Sequence, residues 1–144
     1  MKRRVYFPMS CEILHIGHVL AIREAKKYGN VIIGLLSDEV IEEYKGHKPI
    51  MTYKHRAELL ISLMETHSVL RQKTLKPDPN LLKELNIRYI ASGDGFEPEE
   101  IEAAEEAGVS TLDIRLPNEK EGEKKYSTTN IKNKVIKQWQ KNCF

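Results

Sequence analysis

Residues 5–36 read VYFPMSCEILHIGHVLAIREAKKYGNVIIGLL, and this stretch decides the fold class. An apolar run at residues 5–9 indicates a first strand, and apolar positions at helical spacing in residues 18–28 indicate a helix after it. Residues 31–36 are then continuously apolar, the pattern of a parallel strand that is covered on both faces. The stretch therefore predicts a strand, a helix and a second, parallel strand.

The rest of the chain continues this alternation. We predict further helices at residues 38–44, 53–64, 80–86, 98–107 and 127–140, further strands at residues 68–70, 88–92 and 109–114, and a charged, mobile loop at residues 117–125. Strands that alternate with helices of about ten residues imply right-handed crossovers and a parallel sheet. We therefore expect one α/β domain over residues 1–144, a Rossmann-like three-layer α/β/α fold with a central parallel sheet of about five strands.

Composition and charge set the class of protein. The chain has 144 residues, of which 40% are hydrophobic and 31% charged, a balance typical of a globular domain. A net charge of +2 gives no reason to expect a nucleic-acid partner. Cys11 and Cys143 are too few for a disulfide framework, so we expect free thiols in a reducing compartment. With no signal peptide and no apolar run of roughly 20 residues, we expect a cytoplasmic protein without membrane contact.

The loop after the first strand carries the chemistry. In an open parallel sheet, ligands bind beyond the carboxyl ends of the strands, where residues 9–18 lie. His15 and His18 are three residues apart at the start of a helix, so their rings can face one site, and Gly17 allows close approach of the backbone. Such donors at a helix N-terminus suit phosphoryl or nucleotidyl transfer. Zinc is the competing interpretation, but no third ligand lies at metal spacing and Cys11 is poorly placed.

The motif His15-Ile16-Gly17-His18 matches the His-x-Gly-His signature of the cytidylyltransferase-like nucleotidyltransferases. The chain resembles that family from about residue 4 to residue 135, and most closely its small bacterial and archaeal members, which activate glycerol phosphate, phosphocholine or aminoethylphosphonate with CTP. Further segments that resemble the family are residues 9–12, 34–39, 44–46, 48–56 and 122–129. The loop at residues 9–10 and residues 49–53 look closest to the phosphonate-activating branch.

The resemblance implies roles for particular residues. His15 and His18 would donate to the α-phosphate and the bridging oxygen, and Lys45 would hold the α-phosphate and the acceptor. Asp38 and Arg56 would bind the acceptor or the polyphosphate. The residues expected to bind the nucleotide are Met9, Ser10, Cys11, Gly17, Asp94, Tyr126, Ser127, Thr128 and Thr129. The family further implies CTP as donor and a homodimer. The chain shows no carboxylate cluster for an all-protein metal site, so we expect Mg²⁺ to arrive with the triphosphate.

Two positions depart from the family pattern. The closing motif of the family usually carries an arginine about five residues before its serine, where this chain has Gly122. After the fourth strand the family often has an aspartate followed by a tryptophan, where this chain has Gly95-Phe96 with Asp94 one residue earlier. Both departures bear on recognition of the base and the acceptor more than on the transfer chemistry.

Three other functions fit parts of the pattern. Related adenylyltransferases use ATP and act on flavin or pantetheine phosphates. Class I aminoacyl-tRNA synthetases also spell the motif His-Ile-Gly-His, but 144 residues leave no room for a tRNA-binding domain. A nucleotide-binding module that has lost catalysis is the third alternative, and Gly122 and Gly95 favour it.

Several side chains also have a purely structural interpretation. Arg56 lies in an amphipathic helix, where it could be an ordinary surface charge, and residues 127–129 could simply cap the last helix. The acidic run at residues 97–106 is typical of a solvated helix face. We also expect three histidines to lie on the surface: His47, His55 and His67.

The loops that would surround an acceptor are rich in Ser, Glu, Asp, Lys and Gly. Their candidate aromatic residues are Tyr44, Phe96 and Tyr126. A bulky apolar acceptor needs a pocket lined with aromatic side chains, so we expect a small polar molecule such as an aminoalkyl phosphonate or a polyol phosphate. Asp38 or Asp94 would then pair with an acceptor amine.

Overall fold

A computed structural model describes residues 2–114 and 128–143, in which five strands and six helices follow one another. In chain order the elements are β1 (Arg4–Met9), α1 (Ile16–Lys26), β2 (Asn30–Leu36), α2 (Asp38–Lys45), α3 (Tyr53–Ile61), β3 (Thr66–Gln72), α4 (Pro79–Glu84), β4 (Ile87–Ser92), α5 (Pro98–Ala107), β5 (Ser110–Asp113) and α6 (Thr128–Cys143). The predicted loop at residues 117–125 lies outside the described residues, as do Gly122, Tyr126 and Ser127.

The five strands form one parallel sheet in the order β3-β2-β1-β4-β5. The predicted parallel α/β sheet is therefore confirmed. The strand order reverses at β1, which pairs with β2 along its whole length, from Arg4 to Met9. Its pairing with β4 ends at Tyr6, opposite Ile90. Beyond Tyr6 the carboxyl ends of β1 and β4 are unpaired with each other, and this is where an open sheet offers a ligand site.

Helices cover both faces of the sheet, as the three-layer prediction requires. Alternate residues of a strand point to opposite faces, and Val5 packs with one buried cluster while Tyr6 packs with another. The Val5 side packs against α1 and α3, and the Tyr6 side packs against α4 and α5. Among the described residues, none of the helices has the length and apolar character needed to cross a bilayer.

The region between α3 and β3 differs from the prediction. Helix α3 ends at Ile61 and not at residue 64, and both Ile61 and Met64 are exposed. The buried residues of α3 are Leu60 and Arg56. The chain leaves the helix at Ser62 to enter β3, so the helical period no longer applies to Met64. Strand β3 covers seven residues instead of three because its polar ends conceal the strand pattern.

Gly34 marks a close approach between β2 and its neighbours. A Cβ atom at this position would lie 2.1 Å from the Tyr6 hydroxyl, closer than any real contact allows. The Tyr6 hydroxyl instead donates a hydrogen bond of 2.7 Å to Gln72 Oε1 across the sheet. Gln72 donates in turn to the carbonyls of Thr74 and Leu75, which fixes the loop after β3 beside the ligand site.

Candidate active site

A cavity of about 370 Å³ lies at the carboxyl ends of β1 and β4, where the strand order reverses. Its walls come from the loop after β1, the start of α1, the end of α2, the segment from β4 into α5, and the start of α6. Among the predicted site residues, those that line it are Met9, Ser10, Cys11, His15, Gly17, His18, Lys45, Asp94, Thr128 and Thr129. The sequence-based choice of loops thus converges on one cavity.

His15 and His18 together cap the N-terminus of α1. The backbone N–H of Gly17 donates to His15 Nδ1 at 3.1 Å, and the backbone N–H of His15 donates to His18 Nδ1 at 3.2 Å. The helix begins at Ile16, two residues earlier than predicted, which makes His15 the N-cap residue. Because each Nδ1 accepts a backbone hydrogen bond, each neutral ring carries its proton on Nε2. The cap thus leaves an Nε2–H donor on each ring.

Both imidazoles are poorly suited to carry a positive charge. Burial, together with the neighbouring His15 ring, lowers the pKa of His18 to about 4 against the opposing charge of Asp94. Burial also lowers the pKa of His15, again against the charge of Asp94. The ring centroids are 4.0 Å apart, so two charged rings would repel strongly. At neutral pH the site therefore presents two neutral hydrogen-bond donors beside a helix N-terminus.

Lys45, the last residue of α2, brings a positive charge to the same cavity. Its Nζ donates to Glu12 Oε2 at 2.8 Å and to Ser10 Oγ at 3.3 Å. The Lys45 side chain remains 32% exposed, whereas that of Glu12 is 3% exposed. An ammonium group has three N–H donors, so these two bonds leave one donor for a ligand.

The loop between β1 and α1 turns sharply at Cys11. This residue has φ +46°, a left-handed conformation that is uncommon outside glycine. Burial raises the pKa of its thiol to about 12, so the thiol is neutral and unreactive at neutral pH. Cys11 therefore contributes to the shape of the loop and not a nucleophile.

Arg56 and Asp38 do not line the cavity. The Arg56 side chain is fully buried, so its interpretation as an ordinary surface charge is wrong. Its guanidinium donates to the carbonyls of Met51, Ser10 and Leu36 and to Asp38 Oδ1. These bonds tie together the loop after β1, the end of β2 and the segment before α3, so the structure uses this pair to hold the loops that form the cavity.

The loop after β4 supplies the opposite wall. Ser92, Gly93, Asp94 and Gly95 line the cavity, and Asp94 lies near enough to both histidines to influence their pKa values. Phe96, considered above as an aromatic wall, packs instead in the core with Val109 and does not line this cavity. Glu97, the next residue, accepts a hydrogen bond at Oε1 from the Tyr44 hydroxyl at 3.3 Å, and this bond joins the start of α5 to α2.

Sequence reasoning missed three acidic residues that line the cavity: Glu12, Glu97 and Glu100. Glu12 is a buried carboxylate, and only its place three residues before His15 pointed to it. Glu100 belongs to the run interpreted as a solvated face, yet burial raises its pKa to about 7. Glu97 and Glu100 form a capping box at the start of α5, and this three-residue spacing after a strand end was the available signal.

The start of α6 completes the cavity. Thr128 and Thr129 line it from the first turn of the helix, where free backbone amides attract anions. One turn later, Lys132 Nζ donates to Glu12 Oε1 at 3.3 Å. His47, expected on the surface, is exposed, although its Nδ1 lies 3.8 Å from the same oxygen. No group of three or more His, Cys, Asp or Glu side chains within residues 2–114 and 128–143 is arranged to hold a metal ion.

Comparison with known proteins assigns this site to a family. The model of the family described as cytidylyltransferase-like matches residues 7–134, which is most of the chain. The protein belongs to the cytidylyltransferase-like family. Its assignment from the His-x-Gly-His motif is therefore confirmed, and the chain carries a domain of the nucleotidyltransferase type.

Individual relatives agree on the domain and differ in length. The chain is 32% identical over 83 residues to an FAD synthase from Thermococcus sibiricus, covering 57% of this chain and 56% of the relative. It is 31% identical over 104 residues to the bifunctional protein HldE from Aliarcobacter butzleri, covering 70% of this chain and 22% of the relative. The chain thus spans about half, or less, of these curated relatives.

A solved structure has the same fold as this chain. The lipopolysaccharide core biosynthesis protein from Thermoplasma volcanium superimposes with a TM-score of 0.66 at 21% sequence identity, covering 81% of this chain and 97% of that one. At this identity the likeness shows the Rossmann-like fold and carries no information on the substrate.

Proposed function

We propose that this cytidylyltransferase-like protein transfers CMP from CTP to a small phosphate or phosphonate acceptor and releases pyrophosphate, with residues 1–144 acting as a single nucleotidyltransferase domain. The observation that carries the proposal is the pair of neutral imidazoles at the N-terminus of α1, each with an Nε2–H donor, in one cavity with Lys45. Donors fixed in this way are suited to a phosphate on which charge builds up during transfer.

The reaction needs no nucleophile from the protein. An oxygen of the acceptor attacks the α-phosphorus in line, the bond to the β-phosphate oxygen breaks, and pyrophosphate leaves with the electron pair. His18 and His15 donate to the α-phosphate and to the bridging oxygen, and Lys45 offsets the negative charge on the α-phosphate. The amides at the start of α1 and α6, with Thr128 and Thr129, hold the remaining phosphates.

Mg²⁺ would supply positive charge that offsets the charge of the triphosphate and of the leaving pyrophosphate when bound. We propose that the ion enters with the nucleotide. We expect activity to be lost in excess chelator and restored by added Mg²⁺. Full activity in excess chelator would exclude a role for the ion.

The composition of the cavity supports a small polar acceptor. Among the described residues that line it, the aromatic side chains other than histidine are Phe7 and Tyr44. Phe96 packs in the core, so it does not add an apolar wall. A cavity of about 370 Å³ is at the small end of the range for ligand sites and must hold both substrates. These features favour an aminoalkyl phosphonate or a polyol phosphate over a flavin.

Adenylyl transfer from ATP is the second candidate. It is favoured by the similarity to an FAD synthase, whose name denotes an adenine dinucleotide product. Both candidates place the same chemistry on His15, His18 and Lys45. They differ in the base and in the size of the acceptor.

One assay separates the candidates: pyrophosphate release with CTP, ATP, GTP and UTP, each against aminoethylphosphonate, phosphocholine, glycerol 3-phosphate and flavin mononucleotide. We expect the highest turnover with CTP and one of the three small acceptors. Highest turnover with ATP and the flavin would establish the second candidate. Absence of turnover in every combination, together with measurable nucleotide binding, would establish a binding module.

Two further expectations follow from the family. We propose a homodimer, which the resemblance to the family implies. Light scattering coupled to gel filtration measures the mass directly, and a monomer at micromolar concentration would exclude the dimer. We also propose a cytoplasmic protein that binds neither nucleic acid nor membranes.

A further inference from the structure

The carboxylate of Glu12 joins two helices that are far apart in the sequence. Its Oε2 accepts from Lys45 at the end of α2, and its Oε1 accepts from Lys132 in α6. The Glu12 side chain is only 3% exposed, whereas those of Lys45 and Lys132 are 32% and 27% exposed. Glu12 is therefore buried, and Lys45 and Lys132 contact it from the solvent side.

The charges around Glu12 do not cancel. Two lysines surround one carboxylate, which leaves an excess positive charge beside the cavity. Burial opposes ionisation of Glu12, but the hydrogen bond and charge of Lys45, with those of Lys132, outweigh burial and hold its pKa below the ordinary value. Glu12 thus stays ionised at neutral pH, and the excess positive charge of the cluster suits a polyphosphate.

Most of the described length of α6 lies on the surface. From residue 133 to residue 142 every described side chain is exposed, so most of the helix makes little contact with the rest of the domain. The Lys132 bond to Glu12 lies one turn after Thr128 and Thr129, the two α6 residues that line the cavity. This bond therefore ties α6 to the loop after β1 close to the two residues that line the cavity.

We propose that Glu12 is a positioning residue that couples the docking of α6 to the placement of Lys45, so that both sides of the polyphosphate site form together. Through Glu12, the ammonium groups of Lys45 and Lys132 are held side by side, and each retains N–H donors for phosphate oxygens. The catalytic consequence of this coupling rests on the proposed function, but the docking of α6 does not.

The docking is tested in the ligand-free protein through Trp139, the single tryptophan of the chain, which lies on α6. We expect Glu12→Gln and Lys132→Met each to lower the steady-state fluorescence anisotropy of Trp139, and the double variant to lower it no further than either single change. Lys132→Arg should keep the wild-type value. The matched control is Lys137→Met, which removes an exposed lysine of the same helix and should change nothing.

The coupling to Lys45 is tested by steady-state kinetics of the single and double variants. We expect Glu12→Gln to raise KM for the nucleotide about 10-fold and to shrink the effect of Lys45→Met on kcat/KM at least threefold, because Lys45 is no longer held in place. A role that is only structural would leave the effect of Lys45→Met unchanged. Circular dichroism checks that each variant is folded. If Glu12→Gln does not fold, Lys132→Met takes its place in the same test.

The outcomes separate this inference from the proposed function. Wild-type anisotropy in Glu12→Gln, or additive losses in the double variant, overturns the coupling whatever the substrate is. Absence of turnover by the wild-type protein with every nucleotide overturns the proposed function and leaves the anisotropy test intact.

Discussion

Two ion pairs border the active site, and they are built in opposite ways. In the pair of Arg56 and Asp38, joined by 2.6 Å, the cation has no exposed surface and the acid is 35% exposed. In the pair of Lys45 and Glu12, joined by 2.8 Å, the acid is 3% exposed and the cation 32%. The sequence assigned both cations to phosphate or acceptor binding, and the structure gives only Lys45 a face in the cavity.

The difference shows that burial decides which of two similar cations holds the loops together and which is available to a ligand. A guanidinium has five N–H donors, and Arg56 uses four of them on three carbonyls and Asp38. It therefore has little left to offer a ligand. Lys45 keeps a free donor and access to the cavity, while its buried partner fixes its position. A cation can meet a substrate in this cavity when it stays partly exposed there and its buried partner holds it in place, as Lys45 does.

The strongest test of this comparison is Arg56→Met. We expect the free energy of unfolding to fall by about 3–5 kcal/mol, because the change leaves three carbonyls without their donor and breaks a buried ion pair. Urea unfolding of the variant measures the loss, and Lys54→Met, an exposed position of the same helix, serves as control. A stable variant that has lost acceptor binding would instead restore the binding role predicted from the sequence.

His18→Ala tests a residue with both a structural role and a role toward the ligand, since it caps α1 and faces the cavity. We expect turnover to fall by 10²-fold or more, which corresponds to roughly 2.7–4 kcal/mol for one fixed donor to the transition state. Nucleotide affinity should stay close to wild type, and stability should fall by only about 1 kcal/mol for the lost cap. The matched control is His55→Ala, an exposed histidine on α3. Retention of one third of wild-type turnover by the His18 variant would rule out its role.

Lys45→Met should have the opposite effect to Arg56→Met: a large loss of activity and little loss of stability. We expect kcat/KM to fall about 10- to 150-fold, as loss of a charged hydrogen bond of roughly 1.5–3 kcal/mol predicts. The free energy of unfolding should change by about 1 kcal/mol or less, because Glu12 keeps its bond to Lys132. Kinetics and urea unfolding of the same preparation give both numbers. Unfolding as severe as that of Arg56→Met would remove the distinction between the two pairs.

The smallest expected effect concerns Glu100, a carboxylate that no cation contacts among the described residues. Its pKa is raised from 4.5 to about 7, mainly by burial. Between these pH values the unfolded chain loses the proton and the folded chain retains it, so the wild-type protein loses stability as pH rises. Glu100→Gln should therefore match the wild type below pH 4.5 and unfold at a higher temperature at pH 8. An equal difference in Tm at both pH values would show that ionisation of Glu100 has no part in it.

The order of elements and the central motif could be predicted because they depend on local signals. Apolar periodicity over a few residues distinguishes strands from helices, and it located all five strands of the described sheet. His15 and His18 are neighbours in sequence, so their joint role follows from spacing alone. The identity of the nucleotide and acceptor stays a prediction, since no local signal specifies the base.

The sequence by itself therefore determined the α/β class, the family and the pair of histidines that faces the cavity. Only the tertiary structure decided the strand order, the burial of Arg56 and the meeting of Glu12 with Lys132, which are 120 residues apart. Arg56 and Lys45 are both cations in polar-looking segments, and nothing local to either residue distinguishes them. Their difference arises from which carbonyls and carboxylates the folded chain brings within hydrogen-bond distance, and that depends on packing between elements distant in the sequence.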